Sequence, residues 1–289
     1  MCVRAFAFGV PCPNRDWAHG CAQVCAGRTF TCMELSPKPM SLPSRVIHAD
    51  VVLERRERLG RLAGALRIFG RLGFGEGVAG HVTVRDPEFK DLFWVNPLGV
   101  SFKLMRVSDL ICVNRAGEVV HGERPVNRAA FVIHSAIHEA RPDVEAAAHA
   151  HSVYGKAFSS LRRPLRPLTQ DACVFYEDHD VVLDGGGRVV FDEESAQALA
   201  AGFRGKAAIH ANHGLLTVGH SVDEAAFWFV TLERSCQAQL LAEAAGEPFD
   251  IPHAWASQTR DLIGGHSAGW LGFQPLWQEL LAYEPDFLL

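Results

Sequence analysis

Between Arg141-Pro-Asp143 and Ser152 the chain reads Val144-Glu-Ala-Ala-Ala-His-Ala-His151, almost wholly apolar until it meets two histidines. The run is too short for an ordinary globular helix and reads as a buried strand, which belongs inside a layered α/β domain. Residues two apart on a strand point to the same side, so His149 and His151 share a face. Two imidazoles there are costly to desolvate unless something engages their nitrogens. The simple reading is a pair of core or rim histidines bonded to backbone carbonyls. The sharper one is a divalent metal, since imidazole suits zinc, iron, manganese, cobalt and nickel. A second cluster, His210-Ala-Asn-His213-Gly214, strengthens the sharper reading. A histidine at a strand end before glycine can turn inward as a third ligand. Three histidines with an open position describe a catalytic site, not a closed structural one.

The flanking sequence supplies the layers. His48 to Gly70 is helical, with Leu59, Leu62, Ala63, Leu66 and Phe69 at three- and four-residue spacings, and Gly70 and Gly73 end it. A glycine-rich turn, Gly73 to Gly80, leads into an alternating strand, His81–Arg85. Phe93–Val95, Leu110–Val113 and Val119–Val120 are further short strands. Asn127 caps a helix to about Ala140, on which Ala130, His134 and His138 share one face. Val181–Leu183 and Val189–Val190 read as strands around the turn Asp184-Gly-Gly-Gly187, and Glu193–Gly202 as a helix. Ala207–Ile209 and Leu215–Val218 are strands, and the capping box Ser221-Val-Asp-Glu224 opens a long helix to about Ala245. The economical organisation is one α/β domain over 46–246. An N-terminal extension over 1–45 reads as disordered. A C-terminal extension over 247–289, with Trp255, Trp270, Phe273 and Trp277, packs on the domain or on a neighbouring subunit.

Composition removes several classes. The 289 residues carry 28 basic against 33 acidic side chains, a net charge of −5, with no basic run; this argues against a nucleic-acid binder. No apolar stretch approaches the roughly 18 residues of a membrane span. Five of the eight cysteines, Cys2, Cys12, Cys21, Cys25 and Cys32, crowd the first 32 residues. Cys112, Cys173 and Cys236 are scattered through the rest, which is no disulfide framework and fits a reducing, cytoplasmic compartment. The first forty residues make a poor signal peptide and a poor zinc site, having no CxxC pair. An over-called translation start upstream of Met33 or Met40 explains them more simply. The turn with Gly73, Gly75 and Gly77 precedes a strand, whereas a dinucleotide fingerprint follows one, so that reading fails.

Taken in order and spacing, five segments resemble the class II aldolase/adducin family. They are Gly77-Val-Ala-Gly80-His-Val-Thr-Val-Arg85, Trp94-Val-Asn-Pro97-Leu-Gly99, Arg141-Pro-Asp143, His149-Ala-His151-Ser and Asn212-His213-Gly-Leu-Leu-Thr-Val-Gly219. The resemblance covers about Val51 to Gly246. It implies a three-layer αβα sandwich around a mainly antiparallel sheet, commonly assembled as a homotetramer. It also implies one divalent metal ion per subunit, Fe(II) or Zn(II) with Mn(II) or Co(II) as substitutes, held by His149, His151 and His213. In the family's sugar-phosphate aldolases that metal polarises adjacent carbonyl and hydroxyl oxygens, so that an enediolate is stabilised when a C–C bond breaks.

The departures from the aldolases carry more information than the match. Their catalytic acid sits four residues before the position of His134; here that position is Ala130, whose methyl group cannot move a proton. Their phosphate-binding hydroxyls are replaced by Val78, Ala79, His81, Leu98, Arg128 and Ala129, and Gln170 stands near a tyrosine used by some aldolases. The chain thus looks like the branch containing decarboxylases of aromatic acids and the non-haem iron oxygenases of aminocoumarin antibiotic pathways. The expected substrate is a small carboxylic acid, aromatic and 2-oxo or 2-hydroxy. His81, Asn96 and Arg128 are its candidate binding residues, and His134, Gln170 and Asp171 the candidate catalytic ones. His134 is the candidate replacement for the lost acid. Two rivals stand beside this reading: an aldol lyase drawing its acid from Asp171 or Glu177, and a non-catalytic adducin-like interaction module.

Overall fold

The computed structural model describes residues 43–183, 187–190 and 192–289, the side chains of 129 and 130 excepted. The N-terminal cysteines and most of the 184–187 turn therefore lie outside the described residues.

Asp50 caps the first helix, α1 (Val51–Arg71), accepting from the amides of Val52 and Leu53 at 2.8 and 3.1 Å. Four strands follow: β1 (His81–Arg85), β2 (Leu92–Val95), β3 (Ile111–Asn114) and β4 (Val119–His121). Helix α2 (Arg128–Ala140) crosses to β5 (Ala146–Ala150), and short helices α3 (Val153–Ser159) and α4 (Gln170–Cys173) precede β6 (His179–Val182). After α5 (Glu193–Ala201) come β7 (Ala207–His210), β8 (Gly214–Gly219) and the long α6 (Val222–Ala245). The C-terminal segment forms α7 (His253–Ile263) and α8 (His266–Tyr283).

The strands make one eight-stranded sheet in the order β4-β3-β2-β1-β5-β8-β7-β6, antiparallel except for the β6–β7 pair. Side-chain alternation sorts its two faces. Val82, Val84, Ala146, Ala148, Ile209 and Leu215 join the core under α1, α6 and α8. Ala147, Ala208, Leu216 and Val218 face α2 and α5. This is the three-layer α/β arrangement with a mainly antiparallel sheet.

Two local expectations change. Val189 and Val190 are not a strand: β6 is an edge strand that pairs only with β7, and Val190 is buried against the α2/α5 core without a ladder. The C-terminal residues, read only as an extension, form two helices, of which α8 packs along α6 and α1. Helices α3 and α4, unread in the sequence, are too short to show a helical period.

Candidate metal centre

The middle of the sheet brings the chemistry together. His81 on β1 pairs across the ladder with His149 on β5, so both rings rise from the face toward α2. His151 follows one residue beyond the strand end. His213 closes the tight β7–β8 connection, where Asn212 takes a left-handed conformation (φ 57°) that asparagine tolerates better than most residues. The His213 amide then bonds the His210 carbonyl at 3.0 Å, and the His210 ring stacks on the His213 ring with centroids 4.6 Å apart.

The three imidazoles of His149, His151 and His213 stand edge to face, their centroids 4.8 to 5.1 Å apart, with one nitrogen from each lying within 4.8 Å of the others. His149 Nδ1 lies 2.7 Å from the Leu215 carbonyl. A carbonyl only accepts, so Nδ1 carries the proton and Nε2 keeps its lone pair, the usual outer-shell arrangement of a metal-ligating histidine. Burial, reinforced by neighbouring imidazoles, holds His149 well below the ordinary histidine range. Burial, with His210 and His151 beside it, brings His213 to about 3. Burial and then Lys156 lower His151. All three rings are neutral at pH 7, and this donor set fits a divalent cation.

A pocket of about 120 Å³ opens beside them, lined by Ala79, Gly80, His81, Asn127, Ile133, Val189 and Val190 as well as the three rings. Among the described lining residues there is no carboxylate. His81 is buried with neither ring nitrogen hydrogen-bonded, and Nε2 of buried His134 is likewise unpartnered. The His81 and His134 rings meet edge to face at 4.2 Å. Unpartnered buried nitrogens are uncommon in folded proteins; of these two rings His81 lines the cavity and His134 stands behind it.

The other sequence-nominated residues are placed differently. Asn96 is buried, but its Oδ1 accepts from the Val82 amide (3.1 Å) and its Nδ2 donates to the Gly80 carbonyl (3.4 Å), so it braces the glycine turn rather than lining the pocket. Arg128, exposed at the start of α2, borders a separate groove of about 420 Å³ with Arg115 and Glu193. Gln170 and Asp171 are exposed on α4, which packs on α6 and α7, and neither lines the histidine pocket. Adjacency in an aligned motif could not show on which side of its element each of these residues lies.

Sequence reasoning also passed over supporting groups. Buried Glu233 on α6 accepts from the Ser152 hydroxyl at 2.5 Å and from the amides of Tyr154 and Gly155 at 3.0 and 2.6 Å, capping α3 just after His151. Its signal was a lone acid among the apolar positions of α6. A second His/Glu group, His220, Glu224 and His266, is less suited to a metal. Glu224 already accepts from His266, Trp228 and the His220 amide, and the two imidazoles stack flat at 3.6 Å, so their in-plane lone pairs do not converge.

The sequence profile of the Class II Aldolase and Adducin N-terminal domain matches residues 60–240. The chain belongs to that family. It is 49% identical over 241 residues to "Decarboxylase NovR" of Streptomyces niveus, covering 82% of this chain and 89% of that protein. It is 48% identical to the "4-hydroxy-3-prenylphenylpyruvate oxygenase/4-hydroxy-3-prenylbenzoate synthase" of Streptomyces roseochromogenus subsp. oscitans, covering 82% and 87%. A solved L-fuculose 1-phosphate aldolase from Glaciozyma antarctica PI12 superposes with a TM-score of 0.77 at 45% identity, covering 86% of this chain and 96% of that one. The protein is an enzyme of that family, whose class II aldolases depend on divalent metals. No described helix is long and apolar enough to cross a membrane.

Proposed function

We propose that the protein cleaves the C–C bond beside the carboxylate of a small aromatic 2-oxo or 2-hydroxy acid, by decarboxylation, and oxidatively where Fe(II) and dioxygen are used. The observation that carries this is a three-imidazole face in a pocket whose described lining holds no carboxylate. A divalent ion held by His149, His151 and His213 would supply Lewis-acid polarisation of adjacent carboxylate and keto oxygens and, as iron, reactivity with dioxygen. Neutral ligands leave such a site its full positive charge, which favours an anionic guest. His81, which lines the pocket with neither ring nitrogen hydrogen-bonded, offers a partner for the polar end of the acid, with His134 behind it. Ile133, Val189 and Val190 give its ring an apolar wall and exclude water. Ala130 cannot serve as the aldolase acid, and loss of carbon dioxide needs an electron sink more than a proton donor. The names of the two Streptomyces relatives support the same chemistry.

The likeness to an L-fuculose 1-phosphate aldolase favours a second reading, an aldol lyase. One experiment separates the two. Protein isolated without added metal is analysed for its metal, then supplied with 4-hydroxyphenylpyruvate-type and mandelate-type acids, with and without Fe(II). Dioxygen uptake supports the oxidative form, and carbon dioxide released without uptake supports simple decarboxylation. Aldehyde release from a sugar phosphate, with neither gas changing, overturns the proposal in favour of the lyase. The proposal includes a homotetramer, which light scattering at a mass of four chains would support.

A further inference from the structure

The turn that carries His213 depends on two residues in the left-handed region of the backbone, Asn212 with φ 57° and Arg162 with φ 52°. Residues other than glycine seldom adopt this conformation, and it persists where surrounding contacts demand it. The two are bonded to each other: Arg162 Nε donates to Asn212 Oδ1 at 2.7 Å. Both also give their backbone amides to one acceptor, the carbonyl of buried Ser159, at 3.2 Å from Arg162 and 3.1 Å from Asn212. Arg162 is exposed, and among the described residues its bond to Asn212 is its one side-chain hydrogen bond.

Ser159 ends α3, and α3 begins just after His151. The first turn of α3 is fixed by Glu233, and its body lies close on β8: a Cβ at Gly155 would come within 2.7 Å of Cγ of Leu215. One short helix thus runs from the second imidazole of the metal site to the turn that carries the third. That turn is tight. The β7–β8 ladder is paired up to His210 and Gly214, so only residues 211–213 reverse the chain. With so few rotatable bonds, a change of φ at Asn212 re-aims the His213 side chain.

We propose that Arg162 is a positioning residue of the metal site: its bond to Asn212 holds the left-handed elbow that keeps His213 converged with His149 and His151. The proposal rests on the metal centre and not on the identity of the substrate. Charge and position predict opposite signs for this arginine. A guanidinium near a cation site repels the ion, so by charge alone its removal strengthens metal binding. A group that orients a ligand does the reverse, and losing such an outer partner typically weakens binding about 10–100-fold.

The test is a titration of Co(II) into the metal-free full chain, followed by the visible spectrum of the bound ion. Arg162→Ala should raise the Kd for Co(II) about tenfold and shift its d–d bands. The melting temperature of the metal-free variant should move by no more than about 2 °C, as for a surface substitution. Asn212→Gly can take φ 57° freely but cannot accept from Arg162; it should weaken binding to a similar extent, and adding Arg162→Ala to it should weaken it no further. Asn212→Asp keeps the acceptor oxygen and should bind at least as tightly as the wild type. Unchanged or tighter binding by Arg162→Ala overturns the proposal, as does an undiminished effect of that substitution on the Asn212→Gly background. A loss of affinity matched by a loss of stability in the metal-free protein makes Arg162 merely structural and overturns it too. A wild-type chain that takes up no Co(II) overturns the metal centre itself, whereas equal uptake by wild type and Arg162→Ala leaves the centre standing and removes only the role of Arg162.

Discussion

Asp86, at the end of β1, is buried and accepts five hydrogen bonds: Arg55 Nε and Nη2 (2.7 and 2.9 Å), Trp94 Nε1 (2.8 Å) and the amides of Glu88 and Phe89 (2.9 and 3.0 Å). Burial alone would raise its pKa, but these donors outweigh burial and hold the carboxyl well below the usual range. Its contribution to stability is present above about pH 4, the unfolded value, and is lost as the pH falls toward the folded one. Asp86→Asn, which takes the charge from the buried one of Arg55's two acidic partners and leaves only Glu88, should cost about 2–3 kcal/mol in urea unfolding at pH 7. His138 behaves in the same direction for a different reason. Burial, and then the Arg85 cation, lower it to about 3. Below its unfolded value of about 6.5 the unfolded chain takes up a proton that the fold excludes, so stability declines on acidification from there toward 3. The urea midpoint should therefore fall less between pH 7.5 and pH 5 in His138→Gln than in the wild type; an equal fall would mean that His138 is not held neutral.

Among the helices, α8 packs tightly on α6. A Cβ added at Gly269 would lie 2.5 Å from Cζ2 of Trp228, whose fully buried ring has nowhere to move. Gly269→Ala should destabilise by about 1–3 kcal/mol, read as a lower melting temperature. The cap of α3 is the other element on which the site depends. Glu233→Ala would strip three donors of a charged acceptor and cost about 3 kcal/mol. It should also weaken metal binding, because the turn it locks begins next to His151. A variant that loses stability while keeping metal affinity would confine Glu233 to a structural role.

For the whole molecule, a metal that binds only the folded state stabilises it by mass action, about 2.7 kcal/mol at a hundredfold excess over Kd. With about 2–4 °C per kcal/mol for a chain of this size, chelation should lower the melting temperature by about 5–10 °C and abolish turnover. His213→Ala should remove the metal dependence of the melting curve; a wild-type curve indifferent to chelator would count against the metal centre. The layered fold and the grouping of His149, His151 and His213 were legible from the linear chain. Periods of two and 3.6, caps and glycine stops are local properties, and a histidine pair at strand spacing shows its shared face without any tertiary knowledge. Whether Asn96, Arg128, Gln170 and Asp171 reach the pocket was not legible, because that depends on which side of an element packs and on what each side chain already bonds. The C-terminal helices were missed because their apolar residues answer to α6 and α1, distant in sequence. The contacts of Thr83 belong to the same class: His81-Val-Thr-Val-Arg85 announces a strand with a polar side, but only the packing of α2 on that side sets a hydroxyl between two imidazoles.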